Sequence, residues 1–183
     1  YSFLSDEKRR AAQAAFDRGI ACILKCQIVV DGKPMVWCAQ HDEIALSPRP
    51  ARSYELVSLS GAESAGVLEL LMSLDAPSAA VKRAVQGGAV WFEAAKLIGI
   101  RVEKQGNERA VVNDPGVPPL WARFYEIETN RPFFCGRDGL KKYRLADIEA
   151  ERRNGYAWYG NWGENVARQY AAWSAKWLAP QAN

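Results

Sequence analysis

The stretch Ser60-Gly-Ala-Glu-Ser-Ala-Gly-Val-Leu-Glu-Leu-Leu-Met-Ser-Leu-Asp-Ala-Pro77 sets the fold class of this chain. A serine three residues ahead of a glutamate is the capping-box pattern, in which each side chain satisfies the other's unpaired backbone amide at a helix start. Val67, Leu70, Leu71 and Leu74 then repeat at helical spacing. Asp75-Ala-Pro77 stops this helix and opens the next, with Pro77 suited to a first helical position. Val81, Val85, Gly88, Phe92 and Ala95 form the apolar stripe of that second helix, Gly87-Gly88 admits a close neighbour, and Gly99 closes it.

Working outward, Ser5 with Asp6 and Glu7 marks the start of an N-terminal helix of about six turns. Phe16, Ile20, Ile23, Leu24 and Gln27 give its apolar spacing, and Asp31-Gly32 with Pro34 ends it. Met35 to Cys38 reads as a short strand or strut, and residues 41–59, with Pro48 and Pro50, as a restrained loop. Ile100–Lys104 and Arg109–Val112 flank Gln105-Gly-Asn-Glu108 as a small hairpin. Residues 121–144 read as irregular with short extended pieces, and 145–153 as a short helix. A last helix carries Val166, Tyr170, Trp173 and Trp177 on one stripe. These elements make a single domain over 1–183 that is mainly α with minor β.

A chain of 183 residues suffices for one sizeable core, and its ordinary apolar and charged fractions exclude a disordered class. A net charge of +3 is too small to argue for nucleic acid, and no binding motif for it is present. No apolar run approaches the roughly 20 residues that span a bilayer. The chain opens on Tyr1 without a signal peptide, as expected of a mature product or a fragment. Cys22, Cys26, Cys38 and Cys135 lack the spacing of a zinc site and read as buried free thiols, one disulfide remaining an alternative. Arg123, Arg131, Arg137, Lys141, Lys142 and Arg144 crowd a span whose opposing charges are Glu126, Glu128 and Asp138. Such a span reads either as a solvated mixed-charge face or as a cationic surface for an anionic partner.

Four blocks carry the candidate chemistry. The first is Trp37-Cys-Ala-Gln-His-Asp-Glu43 continued by Pro48-Arg-Pro-Ala-Arg-Ser-Tyr-Glu-Leu56. The others are Trp121-Ala-Arg-Phe-Tyr-Glu126, Asn130-Arg-Pro-Phe-Phe134 and Gly136-Arg-Asp-Gly139. His41, the only histidine, has no nucleophile signature near it and reads as a hydrogen-bonded structural group. Taken as residues, Arg52 is a loop arginine paired with an acid such as Glu55, and Arg123 is a partner of Glu126 or Glu128. Arg137 sits in a turn where Asp138 does the structural work. Lys141 and Lys142 point to solvent, and Arg131, just before Pro132, is grouped with Arg123 without a role of its own. Trp173 and Trp177 belong to a core stripe, while Trp37, Trp158 and Trp162 stay open as cleft residues.

Together these blocks resemble family 10 of the polysaccharide lyases, the pectate lyases, over nearly the whole chain. The resemblance implies part of an α/α toroid, the C-terminal portion of a secreted, monomeric pectate lyase module. It implies calcium-dependent anti β-elimination on polygalacturonate, with Arg52 as the base and Arg123 and Arg137 gripping substrate carboxylates. Arginine is ordinarily charged far above neutrality, so such a base predicts an alkaline optimum. The calcium ligands are expected upstream, since Asp42-Glu43 and Asp114 lack a convergent oxygen set. The rival is a non-catalytic module that binds anionic polysaccharide.

Overall fold

The computed structural model describes residues 3–179. Helix α1 (Asp6–Cys26) begins where expected, the Ser5 hydroxyl accepting from the Lys8 amide at 3.4 Å. Only its last turns meet the core, through Ile20, Ile23 and Leu24, and Phe16 stays 45% exposed. The helix also ends before Asp31-Gly32. Those two residues, at φ 49° and 74°, form the turn between β1 (Val29–Val30) and β2 (Lys33–Pro34). The Gln27 side-chain amide then ties this hairpin to the next helical layer, donating to the Met35 carbonyl at 2.9 Å and the Ala84 carbonyl at 3.0 Å.

The restrained loop holds a second small hairpin, β3 (Gln40–His41) against β4 (Pro48–Arg49), followed by β5 (Leu59–Ser60) and α2 (Gly61–Met72). The capping box does not form. The Ser60 amide donates to the Trp37 carbonyl at 2.8 Å, and the Gly61 amide to the Arg123 carbonyl at 2.8 Å. The Trp37 carbonyl thus takes the Ser60 amide that Glu63 would have satisfied in the box, and Glu63 is released for another use. Helix α3 (Ala79–Ala94) is capped by Ser78, whose hydroxyl accepts from the Val81 amide at 3.3 Å. Pro77 therefore precedes the cap, and Gly99, at φ 77°, turns the chain into β6 instead of closing the helix. A β-carbon on Gly88 would lie 2.7 Å from a Leu68 methyl, so this glycine lets α3 approach α2 closely.

The hairpin of β6 (Ile100–Gln105) and β7 (Glu108–Asn113) has the expected turn at Gly106-Asn107. Four short strands follow: β8 (Trp121–Ala122), β9 (Phe124–Tyr125), β10 (Pro132–Cys135) and β11 (Lys141–Lys142). After a single 3-10 turn (Leu145–Asp147) come α4 (Ala150–Gly155), β12 (Tyr159–Gly160) and α5 (Trp162–Trp177). The central sheet is antiparallel in the order β11-β10-β9-β5, and β12 pairs with β8.

This architecture corrects the expected class. Among the described residues, five α-helices are interleaved with twelve strands in five small sheets, so the protein is mixed α and β. The helices form no toroid: α2, α3 and α5 pack mutually as one cluster, and α1 touches α3 at its end. Long strand-bearing connections separate α1 from α2 and α3 from α4, so the helices do not follow one another as the consecutive pairs of a ring.

Two apolar clusters hold the molecule. Leu68, Leu71, Val85, Trp91, Phe92 and Trp121 fill the space between the helices, with Val166 and Trp173 of α5 as expected from its stripe. Tyr54, Phe124, Phe133, Phe134 and Trp158 form the second cluster, around strands β9 and β10 of the central sheet. Complete burial of side chains this large contributes about 1.5–3 kcal/mol each. The buried Tyr125 hydroxyl accepts from the Ala122 amide and donates to the Ala95 carbonyl, both at 2.8 Å.

Candidate active site

Arg52 sits on a tight turn whose ends are bonded together, the Glu55 amide donating to the Arg52 carbonyl at 2.8 Å and the Ala51 amide to the Glu55 carbonyl at 3.0 Å. The proline-flanked strand β4 delivers the chain to this turn. The Arg52 side chain is 63% exposed, whereas Glu55 is 7% exposed. Arg52 Nε donates to Glu55 Oε2 at 2.8 Å and Nη2 donates to Oε1, a bidentate fork that leaves Nη1 outside the pair. The local-pair alternative for Arg52 thus describes its geometry in this structure. Hydrogen bonding from Arg52 holds the Glu55 carboxyl down at about 2, against the opposing effect of burial. The same pair raises the guanidinium above its already high value.

Arg123 lies between β8 and β9 with its backbone pinned on both sides. Its amide donates to the Trp158 carbonyl at 2.8 Å, and its carbonyl takes the Gly61 amide. The side chain pairs with Glu63, the acid freed from the capping box, rather than with Glu126 or Glu128. Ser60 also donates to Glu63. Glu126 is engaged elsewhere, by Thr129 at 2.6 Å, Tyr143 at 2.8 Å and Lys141 at 3.2 Å.

Arg52, Glu55, Glu63 and Arg123 line one open cleft of about 550 Å³, with Ala39 and Gln40 on its wall. Two tyrosines interleave the cations. Tyr156 has Arg52 at 5.8 Å and Arg123 at 4.7 Å from its ring centre, and Tyr54 has Arg52 at 5.1 Å and Arg152 at 4.7 Å. The negative ring faces attract the guanidinium groups and separate their like charges. The Tyr156 hydroxyl donates to Glu55 Oε1 at 2.5 Å.

Arg137 does not line this cleft. It makes a bidentate pair with Glu151, at 2.7 and 2.8 Å, and Glu151 also accepts from Arg152, the other cation against Tyr54. The turn itself is the expected one, Asp138 accepting from the Leu140 amide at 3.0 Å. Glu151 is held down to about 2, first by Arg137 and then by Arg152.

The cationic span is therefore compensated partly from outside, by Glu63 for Arg123 and Glu151 for Arg137, and partly by its own acids, Glu126 for Lys141 and Asp138 for Lys142. Arg131 stacks on Tyr143, 3.6 Å from the ring centre. His41 is half-buried and bonded to the Cys26 backbone, with burial lowering its pKa. Trp37 and Trp158 are core residues, their indoles donating to the Ile23 carbonyl at 2.7 Å and the Arg152 carbonyl at 2.9 Å. Trp162 stays partly exposed in a groove with Glu69 and Asn165, away from the arginines. All four cysteines are free; Cys38 and Cys135 are buried as expected, while Cys22 is exposed.

Among the described residues no group of three histidine, cysteine, aspartate or glutamate side chains could hold a metal. Asp42 caps its own loop, accepting from the Ala45 amide at 2.7 Å, and Asp114 accepts from Arg101 at 2.9 Å. The residues present do not fit a calcium cage. The apolar groove between α3 and α5, about 370 Å³, offers Glu93 and Lys96, which pair with each other, and so lacks charge for an anionic ligand.

The sequence-family model described as pectic acid lyase matches residues 1–167. A solved structure of a family 10 polysaccharide lyase from Cellvibrio cellulosa is 38% identical with a TM-score of 0.87. The match covers 94% of this chain and 54% of that one. An aspartate-to-alanine variant of that lyase, in complex with trigalacturonic acid, matches with the same identity, coverage and TM-score. No curated protein matches the chain. The chain thus spans about half the length of the solved structures it resembles.

Proposed function

The chain belongs to the pectic acid lyase family, and we propose on that premise that it forms the arginine-bearing part of a secreted pectate lyase. The reaction is anti β-elimination on polygalacturonate. A base removes the proton from C5 of a galacturonate, the C4–O bond breaks, and a C4=C5 double bond forms at the new non-reducing end. The observation that carries this reading is the cleft that Arg52 and Arg123 share, both guanidinium groups also meeting the ring of Tyr156. The trigalacturonic acid bound by the Cellvibrio lyase supports an oligogalacturonate as the ligand.

In this proposal Arg52 takes the C5 proton through Nη1, the nitrogen outside the Glu55 fork. It can do so only as neutral guanidine, so activity rises toward alkaline pH. Arg123 orients a neighbouring carboxylate and offsets the charge that builds on the carboxylate beside C5. Arg137 is proposed to serve a carboxylate on the adjacent rim, after exchange with Glu151. Calcium, which this reading requires, finds no cage among the described residues, so its ligands are proposed to come from the rest of a larger module.

The test is the ultraviolet absorbance of unsaturated product from polygalacturonate, using the full-length protein with calcium or chelator. The expected result is absorbance that needs calcium and falls by roughly 10²–10⁴-fold in Arg52→Ala, as when a general base is removed. No product from the unmodified protein sinks the enzyme reading. The rival binding module draws on one observation, the carboxylate partner that each cleft arginine already holds. It predicts polygalacturonate affinity that is indifferent to calcium and falls steeply with salt.

A further inference from the structure

The role proposed for Arg52 leaves one group unused, the nearly buried carboxylate set against it. Glu55 is the fixed member of the pair, 7% exposed beside an arginine side chain that is 63% exposed. Its oxygens are fully engaged. Oε2 accepts from the Arg52 amide at 3.2 Å and from Nε at 2.8 Å, and Oε1 accepts from Nη2 and from the Tyr156 hydroxyl. Tyr156 lies 101 residues away and is itself braced, its carbonyl accepting from Arg109 of β7 at 3.2 Å. Two segments thus converge to hold one carboxylate under one arginine, and a third braces the tyrosine.

A bidentate fork fixes the plane of a guanidinium group, which a single contact would leave free to rotate. With Nε and Nη2 occupied, the plane directs Nη1 away from the pair. We propose that Glu55, clamped by the Tyr156 hydroxyl, is a positioning residue that orients the Arg52 guanidine and tunes its charge. The proposal rests on the reading of Arg52 as the base. Glu55 acts through Arg52 and has no contact of its own with the substrate.

The charged and titratable groups facing Arg52 are Glu55 and Tyr54 from its own turn and Tyr156 from the segment before β12. Arg123 and Glu63 share its cleft, and Arg152 lies across Tyr54. Arg123 and Arg152 each have a carboxylate partner, Glu63 and Glu151, so the nearest uncompensated influence on Arg52 is Glu55. Its negative charge favours the guanidinium form. The arrangement gives precise orientation at the expense of basicity at neutral pH, and it pushes the onset of activity to higher pH.

The experiment measures kcat and KM for polygalacturonate, with calcium present, from about pH 7 to about pH 11, spanning the ordinary thiol-to-lysine range. Full-length wild type, Glu55→Gln, Tyr156→Phe and Arg52→Ala are compared. Glu55→Gln removes the charge but keeps an acceptor, so the rising limb of kcat/KM moves to lower pH by about one unit. Its kcat falls severalfold while KM is held. Tyr156→Phe loosens the clamp but keeps the charge, so kcat falls and the limb stays in place. An unmoved limb in Glu55→Gln overturns the tuning role, and an unchanged kcat in Tyr156→Phe overturns the clamp even if Glu55→Gln does not fold. Arg52→Ala separates the two levels. If it retains full activity, the base reading fails and the positioning role with it; if it is inactive while Glu55→Gln leaves the profile unmoved, only the positioning role fails.

Discussion

Arg52 and Arg123 reach their carboxylate partners by different routes, and the difference decides what a sequence can reveal about each. The Arg52–Glu55 pair spans three residues and was foreseeable as a local ion pair. Arg123 has two acids close behind it in the chain, yet its partner Glu63 is 60 residues away. Local spacing favours Glu126 and Glu128, but Glu126 is already committed to Thr129, Tyr143 and Lys141. Tyr156, which meets both arginines, carries no local signal at all. Two substitutions test the electrostatics at this scale. Arg123→Ala is expected to raise KM for polygalacturonate by roughly tenfold, the size of one lost charge-assisted hydrogen bond, with a smaller effect on kcat. Glu63→Gln is expected to lower KM severalfold, because it leaves Arg123 unneutralised and available to a substrate carboxylate. Steady-state kinetics at fixed salt measure both, and a KM that rises in Glu63→Gln would count against Arg123 as a carboxylate grip.

At the scale of elements, helices α1, α3 and α5 were legible because apolar side chains at helical spacing need only local geometry to line up. The β6–β7 hairpin was legible for a similar reason, a Gly-Asn turn between two extended runs. The capping box failed because the Trp37 carbonyl takes the Ser60 amide and the Ser60 hydroxyl donates to the Glu63 carboxylate instead of accepting from a backbone amide. Two-residue strands such as β8 and β9 are too short to show any period, so the strand content was underestimated. Glycines in α2 and α5 offer a paired test. Gly66 has nothing within 4 Å of an added β-carbon, so Gly66→Ala is expected to stabilise by about 0.5–1 kcal/mol through helix propensity. An added β-carbon on Gly163 would collide with the buried Trp121 indole, so Gly163→Ala is expected to destabilise by about 1–3 kcal/mol. Urea denaturation midpoints of opposite sign are the expected outcome.

Across the whole molecule, acids hold elements together at long range, as Glu63 of α2 does with Arg123 and Glu108 of β7 with Arg153 of α4. Others act locally, as Glu55 and Glu126 do. Glu55 and Glu126 titrate at about 2, well below the ordinary 4.5, because hydrogen bonds favour their charged forms. A carboxylate with a lowered folded pKa contributes stability above its unfolded value and loses it as pH falls toward the folded value. Stability is therefore expected to hold above about pH 5 and to decline between about pH 4.5 and about pH 2. Thermal melts followed by circular dichroism check this, and a flat melting temperature across that window would refute it. The family blocks, the apolar stripes of the helices, the hairpin turn and the candidate arginines were determined by the sequence by itself, because each depends on residues near one another in the chain. The mixed α and β architecture in place of a toroid, the pairing of Arg123 with Glu63, and the clamp of Tyr156 on Glu55 were decided only by the tertiary structure. They arise where distant segments cross, and which acid a cation meets there depends on packing and competition for partners, not on spacing along the chain.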